Sequence, residues 1–201
     1  MSVIISARDP IEVAPPNSGR RYIIQALTFR ERAQLEAALA REGATVVYPG
    51  QIAAARRDAL EQIAPPNKAE LLALLAEAEA PAEGPDTPEQ RALGARLAVL
   101  DAAIAEVPGF AAIMARNALR IGLIPFHAAA IGLRDWEGEG LPPFARTRGL
   151  VPAELLEQLP DDELAMVGWR VWNTARVSAV QEKNSAGLSP SPESPTGTSA
   201  A

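Results

Sequence analysis

The stretch Arg116-Asn-Ala-Leu-Arg-Ile-Gly-Leu-Ile-Pro-Phe-His-Ala-Ala-Ala-Ile-Gly-Leu-Arg-Asp-Trp-Glu-Gly138 decides the fold class that this sequence predicts. It is rich in Ala, Leu and Ile, and it continues an apolar face that has the spacing of an α-helix. Pro125 has no backbone N–H and crowds the preceding turn, so the helix should break or kink there. We expect a shorter helix to follow and to end near Trp136. The apolar face before the proline contains Phe110, Ile113, Met114, Asn117 and Ile121.

Signals of helix starts recur between this stretch and the N-terminus. A Ser, Thr or Asn followed three residues later by Glu or Gln is typical of a capping box, and proline is favoured at the first helical position. Gly43 is a plausible stop for the first helix, and residues 67–106 should form an antiparallel helical pair. The predicted starts are Thr28 with Glu31, Pro49 of a helix running to Ala64, Asn67 with Glu70, and Thr87 with Gln90.

The first 27 residues differ from the rest because their apolar runs are short and rich in β-branched side chains. Val3-Ile4-Ile5 forms one run and Tyr22 to Leu27 forms another. The prolines between the two runs are incompatible with a regular strand ladder there. Since an isolated hairpin is only marginally stable, the sequence predicts a β-ribbon that packs against helices.

The fold class that follows is mainly α, with one helical domain, a small N-terminal β-ribbon and a disordered C-terminal tail. The predicted ranges are 1–27 for the ribbon, 28–184 for the helical domain and 185–201 for the tail. The tail holds five Ser, three Pro and two Gly among 17 residues. Such a segment buries too little apolar surface to offset its conformational entropy.

Composition argues against most catalytic and metal chemistry. The 201 residues include no Cys and one His, so neither a thiolate site nor a cluster of histidines can form. We expect a protein with no enzymatic activity, no cofactor and no metal. The net charge of −6 argues against a general affinity for nucleic acid or anionic membranes. His127 is expected to be a structural or surface residue, Asp161 to Glu163 to complement the helix dipole, and Arg146 and Arg148 to be solvated.

The last predicted helix, which opens at Pro160, is apolar on two sides. One face carries Leu164, Val167, Gly168, Val171 and Ala175. The roughly opposite face carries Met166, Trp169, Val177 and Val180. Such a helix is either wholly buried or keeps one face for a partner. The second face therefore gives the candidate protein-binding residues, with Trp169 as the kind of anchor that dominates interfaces.

The order of these elements resembles the tail assembly chaperones of long-tailed bacteriophages and prophages. The resemblance rests on the turn at Trp136-Glu-Gly138, the element Leu141-Pro-Pro-Phe144, and a last helix that finishes at Glu182-Lys-Asn-Ser185. It also includes Ile24-Gln-Ala-Leu-Thr28 and the helix start at Arg30-Glu-Arg32.

The resemblance implies a non-catalytic factor of the host cytoplasm that is absent from the finished particle. Members of this family are thought to coat the tape measure protein and to recruit tail tube subunits. A tape measure protein and a tail tube protein are accordingly the expected partners, and self-association is compatible with this role. The alternative is a structural helical protein of the phage tail or connector, which would share the size, the acidity and the lack of catalytic motifs.

Overall fold

The computed structural model describes residues 9–80 and 87–174, which form seven helices and three strands. The mainly α prediction with a small sheet is confirmed. The predicted tail 185–201 and the end of the helical range at 184 lie outside the described residues. In chain order the elements are β1 (Ile11–Val13), β2 (Arg21–Ile24), α1 (Phe29–Arg41), α2 (Pro49–Ile63), α3 (Lys68–Glu79), α4 (Pro88–Ala103), α5 (Pro108–Gly132), β3 (Leu133–Glu137), α6 (Ala153–Leu156) and α7 (Asp161–Thr174).

The sheet is antiparallel, with β2 between β1 and β3. Its first described strand lies inside the region predicted to be a proline loop, and that prediction is wrong for Ile11–Val13. The strand is only three residues long, so Pro10 and Pro15 flank it and do not interrupt its ladder. The predicted strand at Val3–Ile5 lies outside the described residues. The second predicted run does form β2, from Arg21 to Ile24.

The third strand was predicted as helix, and this is the largest correction to the sequence reading. The helix ends at Gly132, and the next residues pair with β2, with Trp136 opposite Tyr22 and Leu133 opposite Ile24. Leu133 and Trp136 become 0% and 5% exposed through this pairing. Burial of these two side chains against β2 therefore outweighs the local preference for helix.

Helix α5 runs through Pro125 without a break, so the break that was one of the two predicted outcomes does not occur. Phe110, at the start of the predicted apolar face, is buried, but Ile121 at its end is 49% exposed. Pro125 cannot donate a backbone hydrogen bond to the carbonyl of Ile121, so the helix continues with one hydrogen bond missing at this turn.

Helices begin at all four predicted positions, and the predicted capping box is absent only at Asn67. Thr28 and Thr87 each form a full capping box, and Pro49 is the first residue of α2. Asn67 precedes α3, but its side chain makes no capping hydrogen bond. Its backbone angles (φ −97°, ψ 24°) lie outside the extended region that the capping geometry requires.

Two apolar clusters form the core, and α5 contributes to both. The first cluster lies between the sheet, α1, α7 and the second half of α5. The second lies between α2, α3, α4 and the first turns of α5, including Phe110. Arg120 is 8% exposed and joins α5 to α1, because it donates to both carboxylate oxygens of Glu36 and to the carbonyl of Ala44.

No single helix within the described residues is long and apolar enough to cross a membrane. Helices α4 and α5 meet that criterion only when taken together, and they meet at a bend of 119°.

Helix α7 crosses α5 at very short range, and a glycine from each helix makes this crossing possible. A Cβ atom on Gly168 would overlap the backbone carbonyl of Pro125, and one on Gly132 would overlap the side chain of Val171. Because the carbonyl belongs to a rigid backbone, it cannot move aside as a flexible side chain could. We call this contact the α5–α7 crossing.

Replacement of Gly168 by alanine should lower the free energy of unfolding by about 3 kcal/mol, since overpacking against a fixed backbone costs roughly 1–3 kcal/mol or more. For a chain of this size, that corresponds to a fall in Tm of roughly 6–12 °C, measurable by circular dichroism. Gly122→Ala on α5 is the matched control, because nothing lies within 4 Å of its Cβ position. It should be neutral or should raise the stability by about 0.5–1 kcal/mol. Equal effects of the two changes would contradict the crossing.

Candidate protein-binding surface

The two apolar faces of α7 have different environments. Val167, Gly168 and Val171 are buried, as predicted for the first face. Met166 and Trp169 on the second face are half-buried and pack against the edge of the first cluster. Val177 and Val180, the other two candidate binding residues, lie outside the described residues, as does Ala175.

A shallow groove of about 450 Å³ separates α7 from β1. Val13, Met166 and Trp169 are half-buried and supply its apolar surface, while the rim is formed by exposed polar residues. The rim residues are Glu12, Arg170 and Asn173. We call this feature the β1–α7 groove. The structure brings both described candidate residues into one concave surface.

A buried carboxylate fixes the position of α7 against the sheet. Glu163 was predicted to act as a helix-dipole partner together with Asp161 and Asp162, and those two residues are exposed in the first turn of α7. Glu163 is instead 6% exposed, and it accepts hydrogen bonds from Tyr22 on β2 and from Arg20, which directly precedes that strand. Its residue type and position gave no signal of this role, because three acidic residues at a helix start are usually solvated.

Arg20 and Tyr22 donate hydrogen bonds to different oxygens of the Glu163 carboxylate. Arg20 Nη1 lies 3.1 Å from Glu163 Oε1, and the Tyr22 hydroxyl donates to Oε2. Arg20 also donates through Nε to the carbonyl of Glu139 at 3.0 Å, which holds the turn after β3. Burial of Tyr22 raises the pKa of its hydroxyl well above the usual value, and the nearby Glu163 carboxylate adds to that rise. The three side chains therefore connect β2, α7 and the turn after β3.

Arg146 is not the solvated charge that the sequence predicts. It is half-buried, and it donates to the carbonyls of Ile131 and Gly149. Burial lowers the pKa of its guanidinium, and the charge of Arg134 adds to this effect, while Glu31 opposes it. Arg148 is exposed, as predicted, in a turn that the Thr147–Leu150 bridge closes.

Arg134 ties the end of α5 to the start of α1. Its guanidinium donates to Glu31 Oε1 at 2.9 Å, to Gln25 Oε1 at 2.9 Å and to the carbonyl of Ile131 at 2.7 Å. Hydrogen bonds from Thr28 and Arg134 lower the pKa of the Glu31 carboxyl, although its burial opposes them. The charges of Arg134 and Glu31 neutralise each other, and their hydrogen bonds hold the start of α1 against the end of α5.

His127 has the structural role that the sequence predicts. Its side chain is 15% exposed, and Nε2 lies 2.8 Å from Glu42 Oε1, near the end of α1. Within residues 9–80 and 87–174, no group of three or more His, Asp or Glu side chains is placed to hold a metal ion.

A second apolar surface, which the sequence reading missed, lies between α2, α3 and α4. Ile63 and Val99 are 47% and 72% exposed beside a pocket of about 320 Å³ that Leu60, Leu71 and Leu100 also line. Val99 falls outside the helical stripe of apolar residues on α4, and this position could have indicated an exposed apolar surface on that helix. We call this feature the α2–α4 pocket.

The chain matches no family model, no curated protein and no solved structure.

The buried tyrosine makes stability depend on pH in the alkaline range. Because the pKa of Tyr22 is higher in the folded chain than in the unfolded chain, its contribution is complete below about pH 10 and is lost as pH rises further. The difference in unfolding free energy between wild type and Tyr22→Phe should shrink by roughly 1.4 kcal/mol per pH unit above pH 10. Urea titrations from pH 8 to 11.5 would measure it. Tyr48→Phe changes a 62% exposed tyrosine and should retain the wild-type profile. A constant difference for Tyr22→Phe would show that its hydroxyl is not held in the folded chain.

Proposed function

We propose that this chain is a non-catalytic tail assembly chaperone that binds a tape measure protein and helps to recruit tail tube subunits. The observation that carries the proposal is the β1–α7 groove, in which Met166 and Trp169 form a half-buried apolar surface next to Val13. Together with the sequence resemblance, this surface favours a protein that holds apolar segments of a partner.

The groove suits such a role because its α7 side is fixed before any partner arrives. The α5–α7 crossing sets the height of the helix, and Glu163 anchors its first turn to the sheet. A surface that is already ordered loses less entropy when it binds. Trp169 can therefore act as a preformed anchor for an apolar side chain of the partner.

The chemistry of the groove indicates what kind of segment it accepts. Its apolar centre is flanked by an acidic residue, Glu12, and a basic residue, Arg170, so the rim carries both signs of charge. An amphipathic segment with apolar residues on one side and charges on the other fits this arrangement. Tape measure proteins are expected to supply long helices of that kind.

A structural helical protein of the tail or connector is the second candidate, and the α2–α4 pocket favours it. Two separate apolar surfaces, one at the β1–α7 groove and one near Val99, would allow the chain to contact two permanent neighbours in an assembled particle. The composition of purified mature tails separates the two functions, because a chaperone should be missing from them and a structural protein should be present in stoichiometric amounts.

Co-expression with a tape measure protein from a long-tailed phage tests the proposal. We expect the partner to become soluble and to co-purify with the chain. A partner that stays insoluble and unbound in the presence of well-folded chain would rule out the tape measure protein as its client.

Trp169→Ala should weaken partner binding by about 30-fold, since central tryptophan anchors contribute 2 kcal/mol or more to binding. Trp172→Ala is the matched control, because Trp172 is also a half-buried tryptophan on α7 but does not line the groove. Both variants should have similar Tm values, and only Trp169→Ala should lose the partner in a pull-down. Met166→Asp should behave like Trp169→Ala. Parallel loss of Tm and binding in all three variants would identify this face as core.

A further inference from the structure

Helix α4 lies on the outside of the second apolar cluster, and the described part of the chain covers only one of its faces. Leu100 is buried in that cluster. The one charged residue from Ala98 to Ala105 is Asp101, which is half-buried and paired with Arg56 of α2. The exposed face of this part of α4 is therefore apolar, where a helix that faces solvent normally carries polar side chains.

Val99 stands on this exposed face, at the mouth of the α2–α4 pocket. Its side chain is 72% exposed, and it is the largest side chain on that face between Ala98 and Ala105. The pocket beside it is lined by Leu100 and Ala103 of the same helix and by Ile63 from the end of α2. The chain thus carries a protruding apolar side chain and an apolar pocket side by side, which is the arrangement that a self-complementary interface needs.

Charged residues at the two ends of this apolar face have opposite signs. Arg96 lies on the rim of the pocket, and its contact with Glu77 at 3.3 Å is exposed on both sides. An exposed ion pair of this kind contributes little, so the guanidinium can exchange its partner at low cost. Glu106, in the turn after α4, is exposed and pairs with no cation among residues 9–80 and 87–174. A face with a basic end and an acidic end is complementary to a second copy of itself that runs antiparallel.

We propose that two copies of this chain associate through this face, with their α4 helices antiparallel and related by a two-fold axis level with Asp101. A two-fold interface places residue i against residue j and residue j against residue i. In this register Arg96 of each copy lies opposite Glu106 of the other. Val99 lies opposite Ala103, which lines the pocket. Because the residues beside Val99 are alanines, the two helix axes can approach closely, and each Val99 enters the pocket of the other copy.

This association leaves the β1–α7 groove open. The interface is formed by α4 and the end of α2, whereas the groove is formed by β1 and α7 at the first cluster. Each dimer therefore presents two grooves. The inference depends on α4 and its pocket and not on the proposed function, so it can be tested on the purified chain without a tape measure protein.

Sedimentation equilibrium of the full chain tests the association. We expect a concentration-dependent mass that approaches twice the chain mass of 21.2 kDa. Val99→Glu should remain monomeric, because it places a charge inside the apolar interface, and its Tm should stay close to that of the wild type. Phe29→Glu is the matched control, because Phe29 is 82% exposed but lies at the start of α1, and this variant should dimerise normally. A monomeric wild type at all concentrations up to about 0.5 mM would overturn the proposal.

Exchange of the two charges tests the contact between the copies. Arg96→Glu and Glu106→Arg should each raise the dissociation constant of the dimer at least about 10-fold, because each variant places like charges opposite one another at two symmetric positions. The double variant reverses both charges, and it should return the constant to within about 3-fold of the wild type. Weakening in both single variants without this recovery, or no weakening in either, would show that Arg96 and Glu106 do not meet.

Disulfide trapping tests the register, since the chain has no cysteine of its own. Ala102→Cys should give disulfide-linked dimers under mild oxidation, because the two copies of this residue lie only about 3 Å apart along the helix direction. Ala95→Cys is the matched control, because Ala95 is an exposed alanine on the same face, but its two copies lie about 18 Å apart in this register. Dimers from Ala102→Cys alone support the proposal. Equal yields from the two variants, or no dimers from Ala102→Cys, would contradict the antiparallel register.

Discussion

The close contact between α7 and α5 is the constraint on which the rest of this fold depends. Gly168 allows the backbone of α7 to contact the carbonyl of Pro125. Gly132, near the C-terminal end of α5, leaves space for the side chain of Val171. With α7 at this height, Glu163 reaches the strand β2 and Trp169 reaches the edge of β1. Any larger residue at position 168 would lift the helix and separate both contacts.

Charged residues inside the structure fix the relative positions of elements more than they add stability. Desolvation offsets much of the attraction in a buried ion pair, while the loss of one partner leaves an uncompensated charge. Glu163 with Arg20, Glu31 with Arg134, and Glu36 with Arg120 each join segments that are far apart in sequence. Each pair therefore penalises a wrong arrangement of its two segments. This is useful in a chain whose apolar residues are largely alanine and leucine.

Local chemistry predicted the helices well because their starts carry their own signals. Thr28 with Glu31, Pro49, and Thr87 with Gln90 act within one turn, and the structure contains all three. The strand β3 and the buried role of Glu163 depend on contacts between residues more than a hundred positions apart. No local pattern encodes such contacts: Leu133 to Glu137 read as helix because they follow one. For the candidate site, Met166 and Trp169 followed from helical spacing, whereas Val13 could be added only by the fold.

Because two apolar clusters share α5, each cluster can unfold locally at its own free energy. Helix α5 contributes to both clusters, so the helices α2, α3 and α4 can exchange backbone amide protons without disturbing the sheet. Hydrogen exchange in deuterated water should therefore fall into two groups. Amides of α2–α4 should exchange through a partial opening that leaves β2, β3 and α7 protected. The end of α5 near Phe110 should exchange with the first group and the end near Ile131 with the second.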